Sequence, residues 1–232
     1  MRPGPTALGP FDPGFEDLPV SIPLFPLTDA LLLPGGRLPL NIFEPRYLAM
    51  IRYALTQPTR LIGLVQPVEV NADRKFGSDQ VPVLKQIGCA GRIVSFEETN
   101  DGRYSIALSG LVRFKIEREL PRHAEGFRQA MIDFNPFVED MSERGFALSD
   151  RDHFLYLLKS FLEMRQLGAD KDAIAQAQDD QLLVSLAMLC PFSAAEKQSL
   201  LECPDLDTLA DMMTALFEIS IAAHQQPDRP LH

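Results

Sequence analysis

From residue 20 to 135 the chain alternates short apolar runs with proline, glycine and polar punctuation. Residues 21–27 and 36–43 are two such runs, interrupted or flanked by Pro23, Pro26, Pro34 and Pro39. Proline cannot donate a ladder hydrogen bond, so this density predicts irregular or edge strands rather than central ones. LIGLVQP at 61–67 is a compact apolar run that suits a buried strand, and the polar stretch 69–80 predicts a loop. The sharpest local signal lies in 88–120, where Asn100-Asp101-Gly102 separates two segments of strand character. Asp-Gly supplies the positive φ that a tight hairpin turn demands. Beyond it Tyr104, Ile106 and Leu108 alternate, and Val112, Phe114 and Ile116 alternate on the far side of Ser109-Gly110. That is period two with one buried face in each strand, and Ser109-Gly110 reads as a tight bend between them. FRQAMIDF at 127–134 adds a further strand, and the set predicts a compact barrel or folded-over sheet.

The period changes after residue 149. Phe154, Leu157, Leu158, Phe161 and Leu162 recur at three and four, predicting an amphipathic helix of about four turns. Ser149 and Asp152 resemble a capping box at its start. Leu182, Leu186 and Leu189 predict a second helix stopped by Pro191, and Ser193 with Glu196 caps a short third. A long fourth runs through Leu206, Leu209, Met213, Leu216 and Ser220, with its methionines as core filler. The expected organisation is a mobile Pro/Gly-rich leader over 1–19, a β-rich part over 20–135 and a link over 136–148. A helical bundle over 149–223 and a tail over 224–232 complete it.

Charge divides along the same line. Residues 1–135 hold 15 basic and 15 acidic side chains, whereas 136–232 hold 7 and 17, so the net charge of −10 belongs to the helical part. Such a chain lacks the basic face that meets nucleic-acid phosphate. Apolar runs are too short to span a bilayer and no secretory signal is visible, which makes a cytoplasmic protein without membrane contact the expectation. Cys89, Cys190 and Cys203 are odd in number and widely spaced, as free buried or half-buried thiols would be. His123, His153, His224 and His232 form no metal-binding pair, so neither metal nor cofactor is expected.

Candidate chemistry is sparse. Phosphate-binding glycine loops and a GxSxG elbow are absent. Ser109, His123 and Asp133 would serve as a triad only by chance placement, and Ser109 is better spent in a bend. The pairs Glu97-Glu98, Glu139-Asp140 and Asp179-Asp180 read as solvated loop or helix-end charges, the last suited to a helix start. LNIFEPRYLAMI at 40–51 reads as a strand-to-helix junction. Pro45 takes the first helical position and Glu44 the cap, while Phe43 and Leu48 have the spacing of a hydrophobic staple.

The block IPLFPLTDALLLPGGRLPLNIFEPRYLAMI, 22–51, resembles the opening of the amino-terminal domain of Lon proteases. IGCAGRIV (87–94), LSGLVRFKI (108–116) and PFSAAEKQSLLECPDLDTLADMMTAL (191–216) resemble later parts of that domain, so the likeness spans about 20–222. It implies an α+β fold, a β-rich PUA-like barrel followed by a C-terminal helical bundle, and a module that binds protein or peptide without catalysis. The chain ends at His232 with neither the ATPase nor the protease module of those enzymes, so a stand-alone member is expected. The matching blocks supply the candidate contacts: Phe25, Leu27, Phe43, Arg46 and Tyr47 from the first, then Arg92 and Arg113. Unfolded or exposed polypeptide is the expected ligand, met on an apolar groove or open strand edge. The alternatives are a scaffold or adaptor working with a separate protease, an RNA-binding PUA-like protein, and a hydrolase built on Ser109.

Overall fold

The computed structural model describes residues 9–68, 82–142, 145–168 and 170–225. The loop expected at 69–80 lies outside them, as do residues 1–8 of the leader and 226–232 of the tail. Six strands form one sheet: β1 (Ser21–Pro26), β2 (Arg37–Ile42), β3 (Leu61–Val65), β4 (Ile87–Glu98), β5 (Tyr104–Glu119) and β6 (Arg128–Asp133). Helix α1 (Pro45–Thr56) lies between β2 and β3 in sequence. After β6 come α2 (Arg151–Met164), α3 (Lys171–Gln176), α4 (Asp179–Leu189), α5 (Ala194–Glu202) and α6 (Leu206–Gln225). The fold is therefore mixed α+β. Among the described residues no helix is long and apolar enough to cross a membrane.

Strand order is β2-β5-β4-β3-β1-β6, and an additional β5–β6 pairing closes the sheet on itself. β5 makes closure possible by its length, pairing with β2 through Tyr104–Ser109 and with β6 through Lys115–Glu119. It runs unbroken through Ser109-Gly110, where a bend was expected. Gly110 is required for a different reason: a Cβ there would lie 2.0 Å from the Leu33 carbonyl oxygen. The Asp101-Gly102 turn is present, with Gly102 at φ +81° and its N–H donating to the Thr99 carbonyl at 3.0 Å.

β1 corrects the edge-strand expectation. It lies between β3, parallel through Leu24–Pro26, and β6, antiparallel through Ser21–Leu24. The two pairings overlap only at Leu24, so each proline sits where just one neighbour is paired. β2 does form an edge and pairs with β5 alone.

One apolar cluster fills the barrel around Leu24, Val112 and Phe114. A larger one joins its other side to α1 and the bundle through Met50, Ile93, Leu183 and Phe217. Polar bolts cross the same junction. Lys197 Nζ donates to the Asp29 carbonyl at 2.6 Å, and Gln198 Nε2 to the Ile87 carbonyl at 3.2 Å. The Ser193–Glu196 capping box is complete at α5. At α2 the cap is Asp150 rather than Ser149, accepting from the His153 N–H at 2.9 Å. The short α3, which has too few residues to show a period, is started by Asp170.

The described part of the leader, expected to be mobile, is anchored, and so is the link. Residues 9–19 pack on the barrel, with Asp12 ion-paired to Arg92 at 2.5 Å. In the link, Asn135–Met141 is a 3-10 segment that carries Asp140 to Arg113. Asp140, expected in solvent, is instead a largely buried partner of Arg113, while Asp179 opens α4 as expected and is a half-buried partner of Arg151.

Candidate functional site

Helix α1 begins where the sequence places it, with Glu44 as cap and Pro45 at N1. The Glu44 carboxylate makes no capping bond, however. It pairs with Arg46 at 2.7 Å, and the Arg46 guanidinium in turn lies 4.6 Å from the centre of the Tyr47 ring. Tyr47 is buried and meets Phe25 with ring centres 4.5 Å apart. Burial raises the Tyr47 pKa, with Arg46 opposing. Leu27 is half-buried against the larger core cluster. Tyr47, packed on Phe25, thus lies beneath Arg46.

Phe43 behaves differently. No staple buries it: the ring is 63% exposed, with the Arg103 guanidinium 5.8 Å from its centre. Arg103 belongs to the β4–β5 turn, and next to it Tyr104 meets Phe96 with ring centres 4.9 Å apart. Arg52, on α1, reaches the Tyr104 hydroxyl at 3.3 Å. Exposed Phe43 and Phe96 and half-buried Tyr104, flanked by Arg52 and Arg103, therefore make one aromatic and cationic face across the β2–α1 junction and the hairpin tip. Sequence reasoning found Phe43 but missed Phe96 and the arginines. Alternation assigned Tyr104 to the interior, where its half-buried ring does pack against the larger core cluster, and the only signal for Phe96 was an aromatic residue next to Glu97-Glu98.

The face adjoins the free edge of β2. The Gly110 N–H donates to the Gly36 carbonyl at 2.8 Å, which sets the phase of the β2–β5 ladder. Alternation then turns the nitrogens of Arg37, Pro39 and Asn41 outward. All three residues are exposed. Pro39 has no N–H to offer, so an added strand would find donors at Arg37 and Asn41 with a gap between them.

Of the two remaining candidates, Arg113 is tied into the fold and Arg92 into the segment before β1. Arg113 donates to Asp140 through Nη2 at 2.6 Å and through Nε, and to the carbonyls of Leu201, Cys203 and Pro204. Burial disfavours its charge, but the Asp140 hydrogen bonds and charge prevail and raise its pKa. A cavity of about 160 Å³ beside it is lined by Leu33, Val184 and Leu209, with Asp140 and Asp180. Arg92 is held by Asp12. The serine-hydrolase arrangement is not assembled: His123 stacks on Phe127 and Asp133 accepts from Asn135, and no hydrogen bond joins either to Ser109. The three cysteines are free and buried; burial pushes the Cys89 thiol up and the Cys190 thiol up to about 12. No cluster able to hold a metal occurs among the described residues.

Comparison with known proteins agrees with this architecture. The family model described as the ATP-dependent protease La (LON) substrate-binding domain matches residues 21–225. Lon protease 2 of Myxococcus xanthus is 31% identical over 115 residues, 48% of this chain and 13% of that protein. Lon protease of Parabacteroides distasonis is 28% identical over 209 residues, 84% of this chain and 23% of that protein. The chain thus spans less than a quarter of either relative. Among solved structures, a Lon N-terminal domain protein from Xanthomonas campestris aligns with TM-score 0.53 and 26% identity, covering 84% of this chain and 97% of that one. The N-terminal domain of a Mycobacterium avium complex Lon protease aligns with TM-score 0.54 and 17% identity over 88% of this chain and 98% of its own.

Proposed function

Because the chain belongs to the LON substrate-binding domain family, we propose that it is a non-catalytic module that captures unfolded or exposed polypeptide segments on the Phe43–Phe96–Tyr104 face. The observation that carries this reading is the exposed aromatic ring of Phe43 beside Arg103, next to an unpaired strand edge. Aromatic rings offer large contact area at little entropic cost, and guanidinium groups add cation–π and carboxylate contacts. The β2 edge can supply sequence-independent backbone bonds on either side of Pro39. A small face with few anchors supports affinity of about 1 μM, equivalent to about 8 kcal/mol.

The test is fluorescence anisotropy with a labelled, permanently unfolded protein, comparing the native chain with Phe43→Ser/Phe96→Ser. The double variant should fold and bind about tenfold more weakly, a loss of about 1.4 kcal/mol. Absence of saturable binding by the folded native chain, or full affinity in the double variant, refutes the proposal. A second reading, an adaptor whose helical half docks a basic partner such as a separate protease, draws on the concentration of the −10 charge in residues 136–232. Its mark would be capture that weakens steeply with salt and is indifferent to Phe43.

A further inference from the structure

Residues 9–19 lie before the family-matched region, which begins at residue 21, yet they are seated on the barrel. Their attachment is by side chains. Asp12 pairs with Arg92 at 2.5 Å, and Phe15 and Leu18 pack against the barrel-interior cluster. The backbone bonds made by Asp12, Asp17 and Leu18 are all local, to Gly9, Gly14 and Phe15. No ladder or backbone hydrogen bond joins 9–19 to a strand among the described residues. Pro10, Pro13 and Pro19 restrict the segment before it docks, so little ordering entropy opposes binding.

Arg92 gives the seat its chemistry. Its side chain is 11% exposed, and Asp12 is its only hydrogen-bond or ion-pair partner among the described residues. Lifting the segment would take away the carboxylate that Arg92 holds and leave its guanidinium open to another. The apolar contacts of Phe15, three residues after Asp12, fix the spacing of a second anchor.

We propose that residues 9–19 are a polypeptide ligand bound in cis, a strap that occupies an Arg92-centred docking site for turn-forming segments carrying a carboxylate three residues before an aromatic ring. The strap must leave before another polypeptide of that chemistry can enter. Its identity as a gate rests on the polypeptide-binding reading above; its identity as a cis ligand does not. Apparent affinity for a competitor is the intrinsic affinity scaled by the fraction of molecules with the strap open.

The experiment uses a fluorescein-labelled peptide, GPFDPGFEDLP, titrated with the full chain and with a chain lacking residues 1–19. The shortened chain should bind it saturably, and the full chain at least about tenfold more weakly, the factor set by a strap closed nine times in ten. Asp12→Asn in the peptide, or Arg92→Met in the shortened chain, should each remove most of the binding. A folded shortened chain that ignores the peptide overturns the proposal. Should truncation prevent folding, the full-length Asp12→Asn/Phe15→Ala variant must gain the peptide binding that the native chain lacks; failure to gain it has the same force. Unfolded polypeptide separates the two ideas. If the leader peptide binds and unfolded polypeptide does not, the binding-module reading fails and the cis ligand stands. If unfolded polypeptide binds equally with and without the strap, and the peptide does not compete, the gate fails and the module stands.

Discussion

Replacing Arg113 with methionine would leave Asp140 as a carboxylate whose side chain is only 8% exposed, without its cation. The carbonyls of Leu201, Cys203 and Pro204 would lose a donor at the same time, and the stacking of the guanidinium on Phe137, 4.9 Å from its centre, would go too. Removing one partner of such a buried pair costs about 3–5 kcal/mol, because the survivor remains desolvated. Set against a total stability of about 5–15 kcal/mol, that is a severe loss. For a chain of this size it corresponds to a fall in Tm of about 10 °C. The contacts tie β5 to the end of α5, so the loss should appear in the helical signal. The chain contains no tryptophan, so far-UV circular dichroism during urea unfolding is the appropriate readout. The control is Arg113→Met/Asp140→Leu, which removes both charges and should recover much of the loss. A single variant destabilised by less than about 1 kcal/mol, or a double variant no better than the single, would refute the reasoning.

Gly110→Ala should destabilise by about 3 kcal/mol in the same assay, since the obstacle to its Cβ is the Leu33 backbone. Ser109→Ala, one residue away, should stay within about 0.5 kcal/mol. Ser193→Ala should cost about 1 kcal/mol through loss of the α5 capping box, with Ser193→Asp restoring most of it. Alkaline pH should weaken the fold. Cys89 and Cys190 have raised folded pKa values against an ordinary 9.0, so the unfolded chain ionises first and stability falls as pH rises through 9. Between pH 8 and 9.5 each thiol should contribute a loss of about 0.8 kcal/mol, which Cys→Ala variants abolish; an equal slope in the variants would contradict this.

Local chemistry made parts of the fold legible. Asp101-Gly102, Ser193 with Glu196, and Pro45 each act within four residues, so their turn, box and first helical position can be read directly. The contacts that were missed join residues far apart. Pro23 and Pro26 suggest an edge until one knows that β3 and β6 each pair with a different half of β1. Arg113 looks like a candidate contact until Asp140 is brought beside it from 27 positions away, and the partner of Arg92, Asp12, comes from 80 positions away. The candidate face was half visible for the same reason. Phe43 stands in the family block, but the grouping of Phe96, Arg103 and Arg52 around it depends on the β4–β5 register and on where α1 leans.

The closure of the barrel by β6 also sets a timetable. Ser21–Pro26 emerges early in synthesis, yet its antiparallel neighbour Arg128–Asp133 follows more than 100 residues later. At about 5–20 residues per second the apolar first strand waits about 5–20 s before its ring can close. During that interval the nascent chain is itself an exposed, extended polypeptide, and contacts of such long sequence separation form slowly even once available. A protein of this topology therefore leaves β1 without its β6 partner through that interval, and a stall placed just before codon 128 should leave it more open to protease than a stall placed well after.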